Sequence, residues 1–386
     1  MDQPYLHAVE RGVPLHKKIL IPYFMGGLGH FTLAHAIGCF LQKMKPEWEI
    51  RLFDPADELK DRVLNGLYKG LWKAFLKMPR AAKFFFIFDK FFPAVGFFIN
   101  MHYLKSVIPK AMGFLVGYKP DLIMSTHWGC THLFNLARNS LSFDMPLLYI
   151  FGEFGGKHRL INCGADIYFT ISDEAHRALF ELGIPEERIE NINLILHPIF
   201  LKQNLSKQEA RSKLRLPEDI FTVVVSLGGE GIGFSLSFIS EFVQEVKNMQ
   251  MLILTGRNSK MLTKINKDFN HERIIPFGYR EDIELIIAAA DILAGKPGTS
   301  YAMEAVKLEK PFIVTKIGAP NEIPNMNYII SNGFGWYTPK PMEFAELLKK
   351  IDSDPEFYAS ALDKLSKISK KNGAEEIAEY IVNLIG

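Results

Sequence analysis

The chain has 386 residues, 48% of them hydrophobic and 23% charged, and its formal net charge is +2. At roughly 150 residues per domain this length predicts two domains, and the composition excludes a disordered, collagen-like or coiled-coil chain. The three cysteines, Cys39, Cys130 and Cys163, form no CxxC pair and no metal-like spacing. Their odd, sparse count argues against a disulfide scaffold and is typical of a reducing compartment. We find no secretory signal and no run of the roughly 20 apolar residues that a spanning helix requires, so we expect a soluble or peripheral protein.

Short β-branched runs alternate with helical patterns along the chain. The first half predicts strands at residues 18–23, 49–53, 121–125, 146–151, 166–171 and 188–194, with helices at 30–43 and 172–182. The second half predicts strands at 221–227, 250–255, 273–277, 291–294 and 311–315. Such alternation indicates parallel sheets covered by helices on both faces. The polar stretch 197–207 is the predicted linker, and each half opens with a strand, a glycine turn and a helix.

A basic and aromatic segment lies between the second and third predicted strands. Between Lys60 and Lys119, nine Lys and two Arg stand against two Asp, and the same segment holds ten of the 31 Phe residues. This pattern suits docking on an anionic membrane surface, but it also fits a nucleic-acid surface or a phenylalanine core with a solvated basic rim. The membrane contacts predicted are Lys83, Phe84, Phe85, Lys90, Phe91, Phe92, Phe97, Phe98 and Lys105.

The first glycine turn, Gly26-Gly27-Leu28-Gly29, ends at His30. Glycines allow a ligand to approach the backbone, and the following helix directs free N–H groups at an anion. A histidine at the helix start can take a proton from a hydroxyl near neutral pH, although it can equally be a capping or packing residue.

The second turn, Gly228-Gly229-Glu230-Gly231-Ile232-Gly233, resembles a dinucleotide fingerprint without the GxGxxG spacing. An acidic residue at the expected distance beyond it is also missing, so a Rossmann dehydrogenase is disfavoured.

The third turn, Gly295-Lys296-Pro297-Gly298-Thr299, opens a predicted helix that holds Glu304. N–H groups near Gly298 and Thr299 suit a pyrophosphate, and a carboxylate at Glu304 suits both hydroxyls of a ribose. The alternative is a carboxylate that merely faces the helix dipole. The later run Asn321 to Asn325 carries amides and a carboxylate that suit sugar hydroxyls, or is simply a polar loop.

Asp352-Ser353-Asp354 has the DxD spacing of metal-dependent sugar-nucleotide enzymes. Because Asp354 precedes Pro355 and a helical run, we interpret it as a helix N-cap and predict no metal site. No catalytic triad is indicated by a local signature.

Together these segments resemble the monogalactosyl- and glucosyl-diacylglycerol synthases and their relative, the peptidoglycan glycosyltransferase that makes lipid II. The second half carries the likeness in VVVSLGGEGIG, LILTGRN, FGY, AADILAGKPGTSYAMEA and NEIPNMNYIISNGFG. The first half carries it in GLGH, KPDLIMSTH, ELGIPEERI and HPIF, so that it covers roughly residues 18 to 340.

The resemblance implies an α/β protein of the GT-B fold, with two Rossmann-like domains of parallel sheets facing across a cleft. It implies an acceptor and membrane-side domain at residues 1–198, a UDP-sugar domain at 199–370, and a final helix at 371–386 that crosses back to the first domain. It further implies an inverting, metal-independent transfer of a hexose to diacylglycerol. The enzyme would use a UDP-sugar as co-substrate with no other cofactor, and would be peripheral on the cytoplasmic face of an anionic membrane, without nucleic acid.

Residue by residue, the resemblance makes His30 the base and Glu304 the ribose ligand. Near the diphosphate and sugar it implies a donor set of Gly229, Glu230, Arg257, Gly298, Thr299, Ser300, Asn321, Glu322 and Asn325, and it places Gly27 and Gly29 in an acceptor loop. The family usually has Gln-Glu at Asn321-Glu322 and Asp at Glu153, so that Glu153 would orient or replace His30 as base. The alternatives are transfer to lipid I or a sterol, a UDP-sugar 2-epimerase, and a non-catalytic module that binds sugar nucleotides.

Overall fold

The computed structural model describes residues 16–25, 28–66, 93–156, 159–196, 205–228, 234–318, 322–368 and 371–386. The chain divides into two compact units. The first comprises Met1–His197 together with Lys371–Gly386, and the second comprises Pro198–Lys370.

The first unit is built on a six-stranded parallel sheet with the order β2-β1-β3-β4-β5-β6. Its strands are β1 (Lys18–Pro22), β2 (Glu49–Phe53), β3 (Leu122–Ser125), β4 (Leu147–Phe151), β5 (Ile167–Thr170) and β6 (Ile189–Asn191). The central strands β3 and β4 are buried along their whole length, as expected for a parallel sheet covered on both faces. All six strands were predicted, although the last is shorter than residues 188–194.

The helices of the first unit cover this sheet. They are α1 (Leu28–Met44), α2 (Pro55–Glu58), α3 (Arg62–Leu64), α4 (Pro93–Tyr118), α5 (Trp128–Leu141), α6 (Asp173–Glu181) and, from the end of the chain, α15 (Gly373–Ile385). Helix α15 packs against α1. Its buried Ala374, Ile377, Ala378 and Ile381 are spaced as one helix face.

Helix α4 was not predicted, and it occupies part of the basic aromatic segment. Buried Leu104, Val107, Ala111 and Leu115 recur at three- and four-residue spacing in the core beneath the sheet. Lys105 is exposed on this helix. For residues 104–118 the segment therefore forms core with a polar rim, one of the alternatives left open by its composition.

The second unit is built on another six-stranded parallel sheet, with the order β12-β11-β10-β7-β8-β9. Its strands are β7 (Phe221–Ser226), β8 (Met249–Leu254), β9 (Ile274–Phe277), β10 (Ile292–Gly295), β11 (Phe312–Val314) and β12 (Gly335–Tyr337). Five of them were predicted, and β12 was missed. The described helices are α7 (Lys207–Leu214), α8 (Leu236–Glu245), α9 (Ser259–Asp268), α10 (Ile283–Ala289), α11 (Thr299–Lys307), α12 (Ile323–Ser331), α13 (Pro341–Ser353) and α14 (Pro355–Ser366).

Both sheets reverse their winding direction at one point, and this positions the candidate sites. The reversal lies between β1 and β3 in the first sheet and between β7 and β10 in the second. In open parallel sheets, ligands bind outside the carboxyl ends of the strands at such a switch point. The predicted α/β class with two parallel sheets is confirmed. Within the described ranges, no helix is both long and apolar enough to cross a membrane.

Candidate active site

In the first unit, three neighbouring strands deliver polar residues to one edge of the sheet. The chain reaches His30 after β1, His127 after β3 and Glu153 after β4, and these strands are adjacent in the sheet. Because the strands are parallel, their carboxyl ends meet at this edge. Gly29 and His30 lie in the first turn of α1, whereas Gly26 and Gly27 lie outside the described residues.

His30 is half-buried and held by the backbone after β3. Its Nδ1 lies 2.6 Å from the carbonyl oxygen of Thr126, and the Thr126 hydroxyl donates to the His30 carbonyl at 3.0 Å. A carbonyl oxygen only accepts, so Nδ1 carries the hydrogen of the neutral ring. This leaves the lone pair on Nε2, which makes no hydrogen bond to the described part of the chain.

A second histidine, His127, lies against the first. The two ring centroids are 4.6 Å apart at an interplanar angle of 71°. His127 caps α5, because its Nδ1 accepts a hydrogen bond from the Gly129 N–H at 2.9 Å. Burial lowers the pKa of His30, with the Thr126 hydrogen bond acting the other way. The pKa of His127 is lowered further, mainly by burial and to a smaller extent by the nearby His30.

Both rings are therefore neutral near pH 7, the form that a general base needs. Sequence reasoning did not single out His127, although it lies in the quoted KPDLIMSTH segment. The available signal was a histidine two residues after a buried strand.

Glu153 reaches the same edge because a glycine precedes it. A Cβ at Gly152 would clash with the side chain of Leu33, which lies in α1 about one turn beyond His30. Gly152 thus allows the chain after β4 to pack closely on α1. Glu153 itself is half-buried. Its role as a partner or substitute for His30 stays a prediction.

In the second unit, β7 and β10 lead into two turns that need glycine. Gly228 has a φ of +75° and Gly295 a φ of +143°, both in the region that L-residues avoid. A Cβ at Gly295 would lie 2.6 Å from the carbonyl oxygen of Ser226 in β7. The close pairing at the switch point therefore depends on this glycine. Gly229 and Glu230 lie outside the described residues.

The turn after β10 presents an open helix N-terminus. Gly298 is the N-cap of α11, with no side-chain cap and no acidic residue in the first turn, which holds Thr299 and Ser300. Its backbone N–H groups and the positive end of the helix dipole are thus available to an anion.

The Asn325 side chain forms hydrogen bonds with this turn. Its Nδ2 donates to the Pro297 carbonyl at 2.8 Å and to the Thr299 Oγ1 at 3.1 Å. The residue is only 1% exposed, and its Oδ1 has no hydrogen-bond partner in the described structure. Because Thr299 Oγ1 accepts from Asn325, its own hydroxyl hydrogen can point to a ligand. The predicted contact of Asn325 with a sugar stays a prediction, and Asn321 lies outside the described residues.

Glu304 lies on α11 in a poorly solvated position. Its carboxylate makes no hydrogen bond or ion pair with the described residues, and burial raises its pKa to about 8. The hydroxyl of the nearby Tyr301 does not bind Glu304 but donates to the Val224 carbonyl at 3.3 Å. Burial is the main cause that raises the pKa of Tyr301, and the Glu304 charge is the second. A desolvated carboxylate without a protein partner is suited to accepting hydroxyl groups of a ligand.

Two further predicted donor residues follow β11 and β8, the strands that flank β10 and β7 in the sheet. Glu322 is 8% exposed, and its Oε2 accepts a hydrogen bond from the Gly318 N–H at 2.5 Å. Its Oε1 lies 3.3 Å from Lys296 Nζ. Arg257, after β8, stacks its guanidinium over the exposed Tyr279 ring at 5.0 Å. Sequence reasoning quoted Lys296 in its motif but gave it no role.

The DxD spacing has a structural explanation. Asp354 is the N-cap of α14 and accepts from Phe357 N–H at 3.1 Å, with Pro355 at the first helical position. Asp352 accepts from the Asn248 side chain at 2.9 Å. The predicted cap is confirmed. Among the residues that the structure describes, no group of three or more His, Cys, Asp or Glu side chains is arranged for a metal ion.

Most of the predicted membrane contacts lie outside the described residues. These are Lys83, Phe84, Phe85, Lys90, Phe91 and Phe92. Phe97 and Phe98 fall within α4, and their side chains are not described.

Comparison with known proteins confirms the family resemblance. Residues 235–379 match the glycosyltransferase family 28 C-terminal domain. The chain is 24% identical to monogalactosyldiacylglycerol synthase 2 of Arabidopsis thaliana, over 98% of this chain and 81% of the relative. It is 22% identical to the processive diacylglycerol β-glucosyltransferase of Staphylococcus saprophyticus, over 97% of this chain and 94% of the relative.

Similar solved structures confirm the GT-B fold. MnaA of S. aureus with UDP matches 96% of each chain, with a TM-score of 0.63 and 14% identity. MurG of Acinetobacter baumannii matches 95% of this chain and 99% of its own, with a TM-score of 0.61 and 11% identity. The UDP-GlcNAc 2-epimerase of Neisseria meningitidis matches 95% of this chain and 99% of its own, with a TM-score of 0.62 and 13% identity. Since transferases and epimerases share this fold, the fold alone does not select the reaction.

Proposed function

We propose that this protein is an inverting glycosyltransferase that moves a hexose from a UDP-sugar to diacylglycerol, using no metal. The relatives similar in sequence over nearly the whole chain are named as diacylglycerol glycosyltransferases, which supports the reaction class and the acceptor. The observation that carries the donor assignment is Glu304, a desolvated carboxylate that has no hydrogen-bond or ion-pair partner among the described residues and lies on the helix that opens at Gly298.

The chemistry follows from the neutral His30. Its Nε2 takes the proton of the acceptor hydroxyl while that oxygen bonds to C1 of the sugar. The bond between C1 and the β-phosphate oxygen breaks, and its electron pair leaves with UDP. A single displacement of this kind inverts the configuration at C1. The base removes a proton that would otherwise make the lipid alcohol a poor nucleophile.

A substrate matrix tests the proposal. Several UDP-sugars are incubated with liposomes that contain diacylglycerol, with lipid I, and without any acceptor, and UDP release is measured. UDP release that depends on diacylglycerol supports the proposal. Release with lipid I alone, or conversion of the UDP-sugar to its epimer without acceptor, would replace it with one of the alternative functions.

In the proposed reaction, protein groups and not a metal ion stabilise the negative charge of the leaving diphosphate. The N–H groups and the dipole at the start of α11 supply positive charge there. We therefore expect transferase activity to be unchanged in EDTA. Loss of activity in EDTA with recovery on addition of Mn²⁺ would show that a metal takes part, and a parallel assay after removal of EDTA controls for slow denaturation.

Because the proposed acceptor is a lipid, we propose that the basic aromatic segment docks the protein on the cytoplasmic face of an anionic membrane. Exposed Lys105 on α4 belongs to this surface. Binding to liposomes is expected to rise with the fraction of anionic lipid and to fall with added salt, because salt screens surface charges.

Reversing the charge of Lys83, Lys90 and Lys105 tests this docking. The variant is expected to bind liposomes more weakly without a lower melting temperature. The matched control reverses Lys213, Lys247 and Lys260, three exposed lysines of the second unit, and changes the net charge equally. Equal effects of both variants, or binding that ignores lipid charge and salt, would contradict a local membrane contact.

A further inference from the structure

Lys296 runs through the switch point of the second sheet. It directly follows Gly295, the last residue of β10. A Cβ at Gly228, after β7, would lie 3.6 Å from Lys296 Cε, and a Cβ at Gly318, after β11, would lie 2.9 Å from its Cδ. The lysine stem therefore occupies the space that these two glycines leave free. Its ammonium group is held where the ends of the three strands meet.

Among the residues that the structure describes, the ammonium group has one charged partner and unused hydrogen-bond donors. Nζ lies 3.3 Å from Glu322 Oε1, longer than the 2.7–2.9 Å typical of a charge-assisted bond. The side chain of Lys296 is 25% exposed and that of Glu322 is 11% exposed. An ammonium group has three donors, and the described residues accept only one of them. The pair is thus loose on the lysine side and open to an incoming anion.

Glu322 is fixed more firmly than Lys296. Its Oε2 accepts from Gly318 N–H, and Glu322 is itself the N-cap of α12. A change of partner would therefore move the flexible ammonium group and leave the carboxylate in place. Lysine suits such an exchange because it is a compact charge on a long flexible stem.

We propose that Lys296 exchanges Glu322 for the diphosphate of the bound nucleotide. This inference rests on the proposed function, since it assumes that a nucleoside diphosphate binds the turn at Gly298. The helix end offers only about half a positive charge. A full charge beside it in a partly desolvated site stabilises the negative diphosphate more strongly than in bulk water.

The exchange and a merely structural ion pair predict different results. If the pair only held the loops together, loss of either partner would weaken nucleotide binding in the same direction. If Lys296 exchanges partners, Glu322 competes with the diphosphate, so that loss of the lysine weakens UDP binding whereas loss of the Glu322 charge strengthens it.

The experiment is calorimetric binding of UDP and of uridine to the full chain. Lys296→Met is expected to weaken UDP binding about tenfold or more, as for the loss of a charge-assisted bond, and to leave uridine binding unchanged. Glu322→Gln is expected to tighten UDP binding by up to about fivefold, the range of a partly exposed ion pair. Lys296→Arg, which keeps the charge, is expected to retain most of the UDP affinity.

Lys247→Met is the matched control, because it removes an exposed lysine that precedes β8, at the opposite edge of the same sheet. It should leave UDP binding unchanged. If Lys296→Met binds UDP normally, or if both pair variants weaken UDP and uridine alike, the exchange is wrong while the proposed function stands. If the wild-type chain binds no UDP, the proposed function itself fails, and the exchange with it.

Discussion

Replacing His30 with alanine is expected to lower turnover by about 100-fold or more while UDP affinity changes little. A positioned general base typically contributes 10²- to 10⁴-fold, and His30 has the geometry of one. Its Nδ1 hydrogen is bound to the Thr126 carbonyl, so the basic nitrogen is Nε2, which has no partner among the described residues. UDP is proposed to bind the second unit, so the loss should fall on turnover and not on the UDP dissociation constant.

His132→Ala is the matched control for this variant. His132 also lies in the first unit with its Nδ1 near a carbonyl, that of Cys163, at 3.2 Å, and burial lowers its pKa as well. It lies within α5 and not at the strand ends, so its loss should leave turnover near the wild-type value. If His30→Ala keeps nearly full turnover while Glu153→Gln is inactive, the base is Glu153 and the assignment of His30 is wrong.

The pH dependence of turnover gives a second test of the same base. Only the neutral imidazole accepts a proton, and burial lowers the pKa of His30 below its ordinary value of 6.5. Turnover is therefore expected to stay level from pH 8 down to about pH 6.5 and to fall only at lower pH. An acid limb that begins above pH 7 would contradict a buried, neutral His30.

The strands and glycine turns were predictable from the sequence because their signals are local. A buried parallel strand is a continuous apolar run, and glycines mark the ends of β7 and β10, with Gly228 two residues after β7 and Gly295 the last residue of β10. By contrast, β12 spans three residues and gains its order from pairing with β11, where Gly335 lies opposite Phe312. No short window of sequence contains that partner. Helix α4 was missed for a related reason, because its phenylalanine-rich start obscures the helical period and Pro109 lies inside it.

The candidate site divides in the same way. His30 and Glu304 were predicted, because each follows a glycine turn at a fixed short distance. The contact of His30 with Thr126 joins residues 96 positions apart, and the Lys296–Glu322 pair joins residues 26 positions apart. Such pairs depend on which strands are neighbours in the sheet, and no local sequence pattern predicts that order.

After the loss of turnover in His30→Ala, the second large effect is expected at Glu304. Replacing this residue should weaken UDP binding about tenfold or more. If the carboxylate accepts both ribose hydroxyls, Glu304→Ala loses charge-assisted bonds worth about 1.5–3 kcal/mol. Uridine should be affected equally, because it carries the same ribose, and this separates Glu304 from a residue that contacts only phosphate. Glu346→Gln removes an exposed carboxylate of α13 and serves as the charge-matched control. Unchanged UDP affinity in a folded Glu304→Ala variant would reject the assignment.

The raised pKa of Glu304 adds a signature that a structural carboxylate at the surface would lack. Near pH 7 most of this group is protonated, since burial raises its pKa to about 8, whereas ribose hydroxyls favour the ionised form. UDP affinity is therefore expected to rise with pH up to about 8 and then level off, and Glu304→Gln should abolish this dependence.

The stability of the folded protein should change with pH in the opposite direction. Between the ordinary value of 4.5 and about 8 the folded state holds a proton that the unfolded state has lost, so stability falls as pH rises through this window. Glu304→Gln should accordingly raise the melting temperature more at pH 8 than at pH 5, and an equal change at both pH values would contradict a buried, ionisable Glu304.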